Sequence, residues 1–194
     1  MPHSIVPIVE GHGEVTALPL LIRRLAYNMD QFAVDIKKPI RLPKQRLLKA
    51  GELERALDLA VQKCQGACGI LILLDADEDC PREIGEQLMN RSNAVRPNAN
   101  VQAVIAKAEY EAWLLGAAES LLPQHRRPLV NFDPRDAEEV RGAKEKLADV
   151  LGIFYSETVD QPALSSVFDL SQARANCPSF DKFWRVIQTF LEAD

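Results

Sequence analysis

One stretch, Leu71-Ile72-Leu73-Leu74-Asp75-Ala76-Asp77-Glu78-Asp79-Cys80-Pro81, constrains this chain more than any other. An apolar run, bounded by Gly69 and then broken by alternating carboxylates, predicts a buried strand that delivers Asp75, Asp77 and Asp79 to its C-terminal mouth. In open α/β sheets that mouth is where sites are built. Carboxylates so close in sequence repel: a pair about 4 Å apart costs roughly 4 kcal/mol at an effective dielectric of about 20. A divalent cation is the simplest way to hold them together.

The rest of the chain supplies a sheet for that strand to join. Ile5 to Val9 is a β-branched run, ended by Glu10-Gly11-His12-Gly13-Glu14, after which Val15, Leu18, Leu21, Ile22 and Leu25 recur at helical spacing. Ala33 to Leu42 predicts an edge or interrupted strand, because Pro39 and Pro43 remove ladder donors. Gly51 to Cys64 carries a helical apolar face, Ile70 to Leu74 is the central strand, and Pro81 opens a helix to about Asn90. A loop over Asn93 to Asn100 leads to a fourth strand, Val101 to Ile105. Strands alternating with helices over short connections predict an α/β fold with a parallel sheet of about four strands and right-handed crossovers. Beyond it, helices are expected over Tyr110 to Leu122, Arg135 to Leu151 and Phe180 to Leu191, with a Pro- and Arg-bearing connection over Pro123 to Pro134. The expected division is a core over 1–122 and a C-terminal helical cap over 123–194 within one structural unit.

A chain of 194 residues with 47% hydrophobic content can bury the core this requires. No stretch of about 18 uncharged apolar residues occurs and the start carries no signal-like segment, so a cytoplasmic protein without a membrane span is expected. Cys64, Cys68, Cys80 and Cys177 form no CxxC pair and are expected as free thiols, Cys64 and Cys68 making a poor zinc site. A net charge of -5 argues against a protein that grips nucleic acid over its whole surface. The charge is nonetheless segregated. Lys37, Lys38, Arg41, Lys44, Arg46 and Lys49 form a basic strip without an intervening acid, which reads either as a solvated face or as a nucleic-acid-binding track.

Two further acidic clusters accompany the central one. Glu10 and Glu14 lie one helical turn apart and can point at one ion; Glu109 and Glu111 follow the fourth strand, where Glu111 can add a ligand or simply favour a helix N-terminus. Because parallel strands end together, Glu10, Asp75 and Glu111 are expected to converge. Competing motifs fit poorly. The dinucleotide fingerprint lacks its third glycine at Thr16, and no G-K-[ST] marks a P-loop. A calcium-loop reading of Asp75, Asp77, Asp79 and Glu86 meets Cys80 where its turn needs glycine. Helix capping by Asp77 or Asp79 is the plainer alternative. His12 is read as a surface-loop residue, and Trp113, Phe154, Tyr155, Phe180, Phe183 and Trp184 as core aromatics.

Val9-Glu10-Gly11-x-x-Glu14 followed by Leu74-Asp75-x-Asp77 resembles the Toprim domain shared by topoisomerases, bacterial primases and OLD-type nucleases. With Cys80-Pro81, Glu109-x-Glu111-Ala112-Trp113-Leu114-Leu115, Lys144 and Cys177-Pro178-Ser179-Phe180, most of the chain resembles a Toprim-like family related to the OLD-type nucleases, whose members often sit beside an ATPase. The resemblance implies a nuclease in which two Mg²⁺ or Mn²⁺ ions are held by Glu10, Glu14, Asp75, Asp77 and Glu111, with Lys144 countering charge on the phosphate; the crowding of carboxylates after the central strand adds Asp79 as a further expected ligand. It also implies a nucleic-acid substrate, an ATPase partner and a setting in defence against phage or mobile elements; cutting both strands would call for a homo-oligomer. A non-catalytic metal-binding or docking module for the ATPase is the other reading of the same residues, and a Mg²⁺-dependent phosphotransfer domain a third. No nucleophilic tyrosine suited to topoisomerase chemistry is recognisable.

Overall fold

The structure, a computed structural model, describes residues 3–64, 68–122 and 130–192. β1 (His3–Val9) and β4 (Cys68–Asp75) pair in parallel at the centre of a five-stranded parallel sheet. β2 (Val34–Ile36) and β3 (Ile40–Arg41) are the two halves of the expected interrupted strand. They pair successively along β1, Ser4 opposite Asp35 and Ile8 opposite Ile40, with Pro39 at the break. β5 (Asn100–Ala106) closes the other edge, with Asp75 opposite Ala106.

Strand alternation splits the core into two faces. Ile5, Val9, Leu71, Leu73, Val104 and Ala106 pack on one side against α1 (His12–Asn28) and the C-terminal helices. Val6, Ile8, Ile70, Ile72, Leu74 and Ile105 pack on the other against α3 (Glu52–Lys63) and α4 (Pro81–Val95), reached past the short α2 (Lys44–Leu47). α4 continues five residues beyond the expected end at Asn90, into the segment read as loop, and Leu88 and Ser92 are buried on it.

The expected helix over Tyr110 to Leu122 is two, α5 (Glu111–Gly116) and α6 (Ala118–Leu121). That over Arg135 to Leu151 is likewise divided. A 3-10 turn, Pro134–Glu139, precedes α7 (Ala143–Leu151), and Gly142 between them has φ +66°, a left-handed conformation no helix interior accommodates. Residues 123–129 of the expected connection lie outside the described residues. α8 (Asp160–Ser165) and α9 (Leu170–Asn176) were not expected; α10 (Pro178–Glu192) matches the last predicted helix. Trp113 on α5 is buried among Tyr110, Phe180 and Phe183, with ring centroids 5.0–5.3 Å away, and fixes the site-bearing helix to α10.

Two sequence expectations need correction. Cys64 and Cys68 are not free thiols: the end of α3 and the start of β4 bring their Cα atoms to 5.6 Å and a disulfide joins them. Cys80 and Cys177 are free. Phe154 is not a core aromatic; it stands fully exposed on the connection after α7. Among the described residues no helix is long and apolar enough to cross a membrane.

Candidate functional site

Since the strands are parallel, β1 and β4 end together, and Glu10 and Asp75 emerge side by side. The chain leaves β4 through Asp77, whose φ of +52° turns the loop, and whose N–H donates to the Ala108 carbonyl at 2.9 Å. Asp75 Oδ1 accepts from the Tyr110 N–H at 2.9 Å, at the entrance to α5, which carries Glu111 on its first turn. Glu14 sits on the first turn of α1, where its Oε2 accepts the N–H of Gly11. Together these residues line a cavity of about 220 Å³: Glu10, Gly11, Gly13, Glu14, Asp75, Asp77, Glu111, Lys144, Glu157 and Gln161.

The electrostatics are those of crowded, dehydrated carboxylates. Burial pushes the Glu14 carboxyl up to about 7; its bond from Gly11 opposes this, and Glu111, Glu10 and Glu157 reinforce it. Burial, then Glu14, Glu111 and Glu10, hold Asp75 well above the usual range. Burial likewise raises Glu10 and Glu111, the latter against the bond from Tyr155. Glu111 is fully buried; its Oε1 accepts from Tyr155 Oη at 2.7 Å and from Gln161 Nε2 at 3.3 Å. Buried oxygens with no hydrogen-bond partner remain at Glu10 Oε2, Glu111 Oε2 and Gln161 Oε1. Lys144 Nζ pairs with Glu157, and its backbone N–H donates to Glu109 Oε2 at 3.1 Å. Burial alone would lower its pKa, but Glu157, Glu111 and Asp75 raise it.

Of the acidic residues picked out in the sequence, Glu10, Glu14, Asp75, Asp77 and Glu111 share the cavity with Lys144, whereas Asp79 does not line it. Asp79 and Asp77 both pair with Lys44 Nζ at 2.9 Å, and the same ammonium donates to the Ala76 carbonyl at 2.8 Å. Lys44 is thus a buried clamp on the acidic loop rather than part of an exposed strip. Of the remaining strip, Lys37 pairs with Asp35 and Arg46 with Glu52, while Lys38, Arg41 and Lys49 are exposed. Arg41 lies nearest the cavity, its Nη1 3.5 Å from the Glu10 carbonyl oxygen. His12 is exposed at the start of α1.

Glu157 and Gln161 go unmarked in the sequence, and Tyr155, read there only as a core aromatic, turns its hydroxyl onto Glu111. They sit on the connection after α7 and on a six-residue helix too short to show periodicity, so no pattern in the sequence marks them.

An oxygen-only donor set with unpaired buried carboxylate oxygens fits a hard divalent cation. Among the described residues, no three His, Cys, Asp or Glu side chains are already drawn around one point.

Fold and site together define a parallel α/β domain with an acidic cavity at the carboxyl ends of its strands. The chain belongs to the family described as Domain of unknown function (DUF4276), whose model matches residues 9–188. No curated protein matches it. Among solved structures it is similar to the C-terminal region of the Burkholderia pseudomallei OLD protein, with TM-score 0.43 and 12% identity over 98% of this chain and 97% of that one. The C-terminal region of the Xanthomonas campestris pv. campestris OLD protein gives TM-score 0.39 and 12% identity at the same coverage.

Proposed function

We propose that the chain is a metal-dependent nuclease hydrolysing phosphodiester bonds of DNA or RNA. The observation that carries this reading is the convergence of Glu10, Glu14, Asp75, Asp77 and Glu111 with Lys144 in one cavity. These carboxylates would hold two Mg²⁺ or Mn²⁺ ions, which supply an activated water and stabilise the leaving oxygen. Glu14, with its pKa near 7, holds a proton at its carboxyl in the metal-free pocket and gives it up on loading. Lys144 exchanges its Glu157 partner for a non-bridging phosphate oxygen and counters charge that grows in the transition state. Tyr155 holds Glu111 in place through its hydroxyl. Arg41, with its Nη1 beside the Glu10 carbonyl oxygen, gives the phosphate backbone an exposed cation next to the pocket.

The acidic net charge and small basic surface fit an effector whose substrate is delivered by a partner, an ATPase in the arrangement the family resemblance implies, acting against phage or mobile elements. The test is incubation of the chain with supercoiled plasmid and with total RNA in Mg²⁺, Mn²⁺ or EDTA, beside Glu10→Ala and Asp75→Ala. Metal-dependent cleavage absent from both variants is expected. Cleavage that survives both substitutions refutes the site. Metal uptake without cleavage of either substrate, even with the ATPase present, favours the docking-module reading.

A further inference from the structure

We infer that Gln161 is a neutral oxygen ligand of this pocket, its amide N–H holding Glu111 and its Oε1 presented to the divalent cation. This deepens the proposed function and rests on it. Gln161 is only 3% exposed and lies on α8, outside the three acidic clusters. Its Nε2 donates to Glu111 Oε1 at 3.3 Å, which leaves Oε1 as a buried acceptor with no donor. Burying an acceptor without a donor is unfavourable, and a leucine of similar volume would avoid that cost if packing were the only role. Turning the amide over would set its oxygen against the Glu111 carboxylate, so the carboxylate fixes which end faces which.

The fold makes room for this side chain. A methyl group on residue 13 would lie 2.0 Å from Gln161 Oε1 and 2.6 Å from the Glu157 carbonyl oxygen. The second glycine of Gly11-His12-Gly13 therefore admits the amide, an explanation that needs no nucleotide. Charge completes the case. Glu10, Glu14, Asp75, Asp77, Glu111 and Glu157 already line the cavity against Lys144, and another carboxylate would add repulsion to the metal-free state. An amide oxygen adds a hard ligand at no charge, as side-chain carbonyls do in other hard-cation sites.

The test is the Mn²⁺ dissociation constant of the full chain, read by electron paramagnetic resonance, with metal-free melting temperatures for each variant. Gln161→Leu is expected to weaken Mn²⁺ binding about tenfold while the fold stays intact. Gln161→Glu keeps an oxygen and adds a charge, so it is expected to bind Mn²⁺ more tightly than wild type and to melt lower without metal. Unchanged affinity in a folded Gln161→Leu variant overturns the inference, as does equal or weaker binding by Gln161→Glu. If Glu10→Ala abolishes uptake while Gln161→Leu leaves it intact, only the role of Gln161 falls. If the wild-type chain takes up no Mn²⁺, the proposed function falls with it.

Discussion

Replacing Glu14 by glutamine should make the metal-free protein more stable at alkaline pH. The Glu14 carboxyl rises from an ordinary 4.5 to about 7 on folding, because burial penalises its charged form. Between those values the folded state binds the proton that the unfolded state has released. Stability is therefore fully present below pH 4.5 and is lost as pH rises through 7. A difference of about 2.5 units at 1.36 kcal/mol each amounts to about 3 kcal/mol. Glutamine removes this titration and keeps an oxygen for the Gly11 N–H. Urea denaturation in EDTA at pH 5, 6.5 and 8 should show wild-type stability falling with pH. Glu14→Gln should fall less steeply and exceed wild type by up to about 3 kcal/mol at pH 8. Asp75 and Glu111, raised for the same reason, leave a residual slope. Saturating Mg²⁺ should restore wild-type stability at pH 8 and do little for the variant. Identical slopes for the two proteins, or a wild type more stable at pH 8 than at pH 5 without metal, would refute the reasoning.

Further substitutions probe the scaffold by the same measurement. Phe180→Ala, which empties a fully buried position beside Trp113, should cost about 3–5 kcal/mol, whereas Phe154→Ala, at an exposed position, should change stability by less than about 0.5 kcal/mol. Gly69→Ala should cost about 1–3 kcal/mol, because the new methyl would lie 2.4 Å from the Phe190 ring, and Phe190→Leu should recover part of that loss. Lys44→Met should destabilise by about 1–3 kcal/mol, chiefly because the buried Ala76 carbonyl loses its donor, with a smaller loss from the exposed Asp77 and Asp79, and Mg²⁺ should offset part of the effect.

The strands were readable because burial on both faces leaves an apolar run that ends where the carboxylates begin. Glu10 and Asp75 fall at those ends, so their meeting followed from parallel topology alone. What the sequence concealed depends on contacts between distant segments. Lys44 looked like one member of a basic strip, and only the fold turns it inward onto Asp77 and Asp79. Phe154 carries the same side chain as Phe180, yet it stands on an irregular connection with no apolar partner. The wall formed by Tyr155, Glu157 and Gln161 left no periodic trace, and the glycine that admits it was weighed as part of a nucleotide motif. Gly142 was visible in the sequence, but its left-handed conformation was not.

The most direct measurement is anomalous diffraction from crystals of the chain grown in Mn²⁺. Manganese peaks are expected about 2.0–2.6 Å from carboxylate oxygens of Glu10, Glu14, Asp75 and Glu111, with those side chains drawn inward. The absence of any peak in that cavity at saturating Mn²⁺, or Mn²⁺ bound only elsewhere on the surface, would contradict the assignment of this pocket as the metal centre.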